Sequence, residues 1–345
     1  MVRICLAEGA FKKGCDMHRM RLLPTAFLLT AFFLPTAPSA QAQTQAWPNR
    51  PIKLLVPLAA GSTADIISRL IGTELAKALG QPIVVENKAG AGGTIATAEV
   101  ARSPADGYTI AFASQGTLVF NQALYAKPGY DSVKDITPIA FAGGVANVMV
   151  VPPNSPWADP GAARDAAKAK PGALTFSSGG SGTSHHLSGV LFGQLTGTDL
   201  LHIPFKGAPQ GIFAVMSGEV AMGFFNTPTV INQIREGKLK ALGITSLKRS
   251  PLLPELPTLD EKGIKGYEVN TWFGWIGPRA LPPEITQRLY TEITAILARP
   301  DIKENLLKQG FDVAPPTTPA EFSKLINDDL GKWIPVVKRS GAKVD

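Results

Sequence analysis

The sequence predicts an α/β protein built as two doubly wound lobes, and three observations carry that prediction. Short apolar strands alternate with stretches of helical period from Ile52 onward, at the spacing of a parallel sheet covered by helices on both faces. The alternation restarts after a proline-rich break that holds Pro152, Pro153 and Pro156. At 345 residues the chain exceeds what one hydrophobic core usually fills.

Ile52–Val56 (IKLLV) reads as a buried strand bounded by Pro51 and Pro57. Ser62 or Thr63 can cap a helix over 64–79, with Asp65 favourable in its first turn and Gly80 then Pro82 as the stop. A strand at 82–86, a turn at 90–93, a helix over Thr94–Arg102 and a strand at 108–113 complete the first array. The strand at 148–151 (VMVV) leads to the break. In the second array, strands at 174–177, 201–205, 220–225 and 239–245 alternate with helices at 186–195, 209–216 and 229–236. The last third differs: a proline-stiffened loop at 251–258, an aromatic β-prone run at 267–277, then helices at Pro283–Ala298, 301–309 and 319–340. Such a tail is expected to pack back on the first lobe, with crossing segments near 147–151 and 269–275 as hinge strands. The expected division is leader 1–42, lobe 1 from 47–146 plus 268–345, and lobe 2 from 147–267.

Composition narrows the function. Hydrophobic residues at 45% and charged residues at 18% describe an ordinary globular chain. The formal charge of +7 falls to +4 once 1–42 are set aside, leaving 29 basic against 25 acidic side chains with no basic tract. That pattern argues against nucleic acid as a partner. Arg19 and Arg21, the apolar stretch 22–34 and the small-x-small site Ala40-Gln41-Ala42 read as a cleaved export signal. Its thirteen residues, interrupted by Pro24, fall short of the ~20 that span a bilayer. A periplasmic product is therefore expected. Both cysteines, Cys5 and Cys15, precede the cut, so neither a disulfide nor a thiolate metal site is expected in the exported chain.

Five segments share one chemistry: 57–64 (PLAAGSTA), 114–117 (SQGT), 177–184 (SSGGSGTS), 205–209 (FKGAP) and 224–228 (FFNTP). Each sits between a predicted strand and helix, none holds Asp or Glu, and one carries Lys206. Amides at helix starts, hydroxyls and an ammonium are donors, and donors gathered in one crevice would trap a small anion. Other readings are weaker. Gly90-Ala91-Gly92-Gly93 resembles a dinucleotide turn, but Ile95 fills the sixth position, and a tight packing turn is the better reading. Ser181 or Ser184 with a nearby histidine could serve a hydrolase, yet no G-x-S-x-G elbow is present and His185 adjoins the serine in sequence. His185, His186 and His202 lack metal-ligand spacing, so packing or capping roles are expected.

Together these residues resemble the Bug family, the periplasmic solute receptors of tripartite tricarboxylate transporters. The likeness runs from Trp47 to the C-terminus and rests on WPNRPIKLLVPLAAGSTADIISRL, VENKAGAGG, ADGYT, SSGGSGTSHH, HIPFKG, PLLPELPTLDEKG and TWFGWIGP in order. It implies a Venus-flytrap periplasmic binding protein with an α/β sheet and flanking helices in each of two lobes. It further implies a monomer that captures a small organic carboxylate and delivers it to membrane permease subunits, without catalysis or cofactor. A serine hydrolase, or a receptor presenting its ligand to a membrane sensor, are the alternatives. On matching positions the resemblance assigns ligand contact to Pro57, Gly61, Ser62, Asp65, Ser114, Thr117, Ser178, Thr183, Lys206 and Asn226. The chain departs from the family where Ala60-Gly61 stands for Gly-Gly, Phe225 for Asp and Phe205 for Tyr. Those changes imply a more apolar second half-pocket and a ligand with a ring or alkyl body.

Overall fold

Apolar runs bounded by proline and glycine set the element order in the computed structural model, which describes residues 47–339. The predicted leader lies outside the described residues. The first array holds β1 (Ile52–Val56), α1 (Thr63–Leu79), β2 (Ile83–Asn87), α2 (Thr94–Arg102) and β3 (Thr109–Ser114). A π-helical turn over Gly116–Phe120 then runs into α3 (Asn121–Leu124), and β4 (Ile136–Val151) follows. The second array holds α4 (Pro160–Ala169), β5 (Thr175–Ser178), α5 (Ser184–Thr196), β6 (Leu201–Pro204), α6 (Ala208–Met216), β7 (Met222–Asn226), α7 (Thr227–Arg235) and β8 (Lys240–Ile244). The chain ends with β9 (Asn270–Pro278), α8 (Pro283–Ala298), α9 (Pro300–Lys308), β10 (Asp312–Val313) and α10 (Pro319–Arg339).

Local chemistry explains the helix limits. Ser62 accepts the Asp65 amide as the N-cap of α1, and Gly80 ends that helix at φ 67°. Asp159 caps α4 ahead of Pro160, and Thr183 caps α5, which stops at Gly197 with φ 62°.

The strands are ordered β2-β1-β3-β9-β4-β7-β5-β6, with β8 and β10 also pairing β4. Each array is parallel internally: β2-β1-β3 on one side, β7-β5-β6 on the other. Strands β4 and β9 run antiparallel to their neighbours, which the βα alternation did not predict. β4 is also far longer than its VMVV end. Its first part pairs β9 from Ile136 to Ala146, and from Asn147 it pairs β7. Pro138 and the glycine pair Gly143-Gly144 hide this strand in the sequence. The register shifts beside Pro138 and at Phe141/Gly143. Gly143, at φ 133°, lets the β10 backbone cross so closely that a Cβ there would lie 2.0 Å from the Asp312 carbonyl oxygen.

Both faces of the sheet are buried, so its strands are almost wholly apolar. Leu54 and Val56 pack with α1 and α8 in one cluster while Leu55 faces another; Ile110 and Phe112 divide from Ala111 and Ala113 in the same way. Val148 and Val150 join a third cluster with α6 and α7. Helix α10 returns against β4 and the π-turn, where Trp333 meets Phe120 edge-on at 5.0 Å. Asp329 on that helix accepts both Gln115 Nε2 and Trp272 Nε1 at 2.6 Å. One carboxylate oxygen thereby ties α10 to β9 and to the residue beside Ser114. Hydrogen bonds to a charged group contribute roughly 1.5–3 kcal/mol. Asp329→Ala is therefore expected to lower the unfolding free energy by about 2–3 kcal/mol, read as a lower urea midpoint at unchanged slope.

Candidate functional site: a donor-lined cleft at the strand ends

The carboxyl ends of β1, β3, β5, β6 and β7 open onto one crevice, the position where open α/β sheets hold ligands. Two adjoining cavities fill it. The inner one is a narrow slot, with about 20 Å³ open to the centres of water-sized molecules, and takes lining residues from all five donor segments. Ser62 and Thr63 come from the start of α1, Ser114 from the end of β3, Thr183, Ser184 and His185 from α5, Gly207 and Ala208 from α6, and Asn226 from the head of α7. Thr271 and Phe273 of β9 close the floor. The outer cavity, about 530 Å³ by the same measure, is walled by Pro57, the turn 89–93, Tyr125, Gly180, Ser181, Phe205 and Lys206.

Four helix N-termini therefore converge on the inner cavity. Each carries roughly half a positive charge in unpaired amides. Gly207 and Asn226 make no side-chain cap to α6 and α7, so the leading amides of those helices have no side-chain acceptor. Neither cavity is lined by an Asp or Glu among the described residues. Ser62 and Ser114 accept amide hydrogens from Asp65 and Thr117, which leaves both hydroxyl protons to donate.

Of the ten residues assigned from the sequence, Ser62, Ser114, Thr183 and Asn226 line the inner cavity, and Pro57 and Lys206 the outer. Of the other four, Asp65, Thr117 and Ser178 are buried behind the walls, and Gly61 is exposed outside them. Asp65 accepts Gly61 N at 2.9 Å and Arg69 Nε at 2.9 Å. Burial pushes its carboxyl up, but the Gly61 amide, Arg69 and Asn87 outweigh that and hold it below the ordinary carboxylate range. Thr117 donates to the Ser114 carbonyl, and Ser178 meets His202 Nε2 at 2.7 Å. Thr183 spends its own proton on the Gly180 carbonyl. Phe225 turns into the core against Gly211 and His185, so only Phe205 of the two substituted aromatic positions reaches a cavity. The turn Gly90–Gly93 is a packing turn and also a cavity wall: a Cβ on Gly93 would lie 2.5 Å from Thr117 Cγ2, and one on Gly92 2.4 Å from the Ser181 carbonyl oxygen.

Thr63, Ser184, Thr271, Phe273 and Asn147 were not assigned from the sequence. Asn147 is buried and lies outside the wall, yet its Oδ1 accepts Asn226 Nδ2 at 2.5 Å while its Nδ2 donates to Ser188. Thr63 donates to Asn226 Oδ1 at 3.3 Å, joining the β1 side of the cleft to the β7 side.

Three histidines support the glycine-rich loop from beneath. The Gly179 amide donates to His185 Nδ1 and the Gly182 amide to His186 Nδ1. His185 Nε2 therefore carries the proton and donates to Asn226 Oδ1 at 3.3 Å. His202 stacks on His186 at 4.2 Å and on Phe176 at 4.8 Å, which holds its ring between two aromatic faces. Burial lowers His185 and His186 from 6.5 to about 4, and burial with the neighbouring His186 lowers His202 to about 3. The neutral rings are the folded form. Their stabilising effect is complete above 6.5 and is lost as pH falls toward 4, because the unfolded chain takes up protons first. Calorimetry should show Tm falling between pH 6.5 and 5, above the carboxylate range, and a flat Tm there would mean that the rings are charged in the fold.

The sequence profile of the tripartite tricarboxylate transporter family receptor matches residues 67–342. Among solved structures, periplasmic binding protein BugD is 32% identical with a TM-score of 0.82, covering 86% of this chain and 99% of its own. An R. palustris protein solved with adipate is 32% identical, TM-score 0.82, covering 86% and 98%. MatC from Rhodopseudomonas palustris with bound malate is 31% identical, TM-score 0.81, covering 84% and 100%. The crevice thus lies in a periplasmic-binding-protein fold, and the chain belongs to the tripartite tricarboxylate transporter receptors, the Bug family of solute-binding proteins.

Proposed function

We propose that the protein captures a small organic carboxylate between two lobes, 47–146 plus 268–345 and 147–267, and delivers it to the membrane subunits of a tripartite transporter. The observation that carries this reading is the convergence of four helix N-termini and unspent hydroxyls on a cavity without acidic lining. A carboxylate there accepts from neutral donors on both sides of the cleft, so its binding favours closure. Adipate and malate in the two R. palustris relatives support the same ligand class. Ser178, the serine paired with His202, is fully buried, which favours capture over turnover. On this reading the export signal expected at 1–42 carries the chain to the periplasm, and the closed pair of lobes, acting as a monomer, docks on the permease.

A thermal-shift screen of mono-, di- and tricarboxylates tests the proposal. An acid present at a hundred times its Kd should add about 2.7 kcal/mol to stability. Ser114→Ala removes one free donor and is expected to weaken that acid by about 1.5–3 kcal/mol, tenfold or more in Kd by calorimetric titration, and to lower the Tm of the unliganded protein as well, because the Thr117 amide loses its acceptor. A panel without any stabilising acid would sink the reading.

A further inference from the structure

A further hollow lies where the two halves of the sheet cross. It is a groove of about 420 Å³ and shares no lining residue with either cleft cavity. β4 passes from β9 to β7 between Ala146 and Asn147, and the groove lies at that step. One wall holds Ala146, Asn270 and Asp312, from β4, β9 and β10. The other holds Thr227, Ser246 and Lys248, from α7 and the loop after β8. Asn270 lines the groove and its neighbour Thr271 the inner cavity, so the two hollows lie on opposite faces of β9. The cleft is shut in this structure, with Thr63 of α1 bonded to Asn226 across it. A rotation about the crossing strands that parts the cleft therefore narrows the groove. The halves already touch at one end of it: a Cβ on Gly310 would lie 2.5 Å from Thr227 Cγ2. The remainder is open space and can shrink.

The two walls carry opposite charges. Lys248 and Asp312 make no side-chain hydrogen bond or ion pair among the described residues. Arg249, beside Lys248, is already engaged: it donates to Glu261 at 2.8 Å and to the Pro254 carbonyl at 3.1 Å. Desolvation raises the Asp312 carboxyl above its ordinary range, and no cation offsets that here. Lys248 and Asp312 are both exposed, so each side chain can turn without displacing the core.

Resting on the two-lobe reading above, we infer that Lys248 and Asp312 form a latch that holds the empty receptor open. When the cleft opens, the groove narrows and the ammonium pairs with the carboxylate. Closing on a ligand breaks that pair, so the latch lowers affinity and favours release.

Pulsed electron-spin distance measurements on the unliganded protein test this. Labels at Thr73→Cys in α1 and Ser217→Cys in α6, both exposed positions, report the separation of the lobes. The native cysteines, Cys5 and Cys15, fall in the predicted leader. The exported protein should show a short and a long separation. Asp312→Asn or Lys248→Gln should lower the long-to-short ratio about two- to fivefold, the range of an exposed ion pair. The exchanged pair, Lys248→Asp with Asp312→Lys, should restore it. Asn270→Trp fills the groove and should deplete the long form whatever the charges do. Depletion by the tryptophan, with a ratio that the charge substitutions leave unmoved or that the exchange does not restore, would overturn the latch while leaving two-lobe capture standing. A single separation in every variant would overturn both.

Discussion

The carboxamide of Asn226 is the node on which the cleft depends. It is buried at the end of β7, and both of its ends are spent. The amide side donates to Asn147 and Ser184, and the oxygen accepts from Thr63 and His185. Those four partners lie on β4, α5 and α1, so one side chain fixes the relative placing of three elements that build the cavity. Hydrogen bonds in a buried network polarise one another, and a single unpaired member costs the full desolvation penalty. The histidines follow from the same demand. His185 can donate to Asn226 only because its other nitrogen accepts the Gly179 amide, which sets the tautomer and shapes the loop together. Burial then keeps the ring neutral.

Much of the fold was legible because it is local. A run such as IKLLV between prolines, a serine before a helical stretch and a glycine after it announce themselves in a few residues, and β1 and α1 lie within a residue of those signals. What escaped was long-range. The first part of β4 holds Pro138 and two adjacent glycines, and only its pairing with β9 and β10 makes it a strand. The antiparallel direction of β9 is likewise a property of its partners.

The site shows the same divide. Donor-rich strand exits can be recognised one at a time, and all five line the inner cavity. Which side chain of an exit faces the gap depends on strand register and on what fills the space behind it. Asp65 turned back to Gly61 and Arg69, and Phe225 turned under His185. Thr271 and Phe273 entered the floor from a strand more than forty residues from the nearest donor segment; the run 267–277 reads as a strand, but nothing local assigns it to the cavity. Asn147 is a polar residue in an apolar strand, which was the one visible hint of a buried network.

A receptor of the proposed kind must close on its ligand and yet release it. The contacts across the crevice are suited to that. Among the described residues the β1 side meets the β5–β7 side through contacts that include Gly61 against Pro209, Gly92 against Ser181, Gly116 and Asn121 against Gly182, Ala59 against Gly207, and the Thr63–Asn226 hydrogen bond. Small residues bury little apolar area, at about 25 cal/mol per Å², so these contacts alone favour closure weakly. They also bring two backbones close enough for amides on both sides to reach one carboxylate. The ligand then supplies most of the differential free energy between open and closed forms, which is the condition for a large population shift. Neutral donors serve this better than a buried arginine. A buried cation would carry a desolvation penalty in the empty closed site and a stronger hold on the acid in the filled one. Hydroxyls and helix amides return to water on opening at little cost, so a cleft built from them can both hold an anion of the proposed kind and let it go.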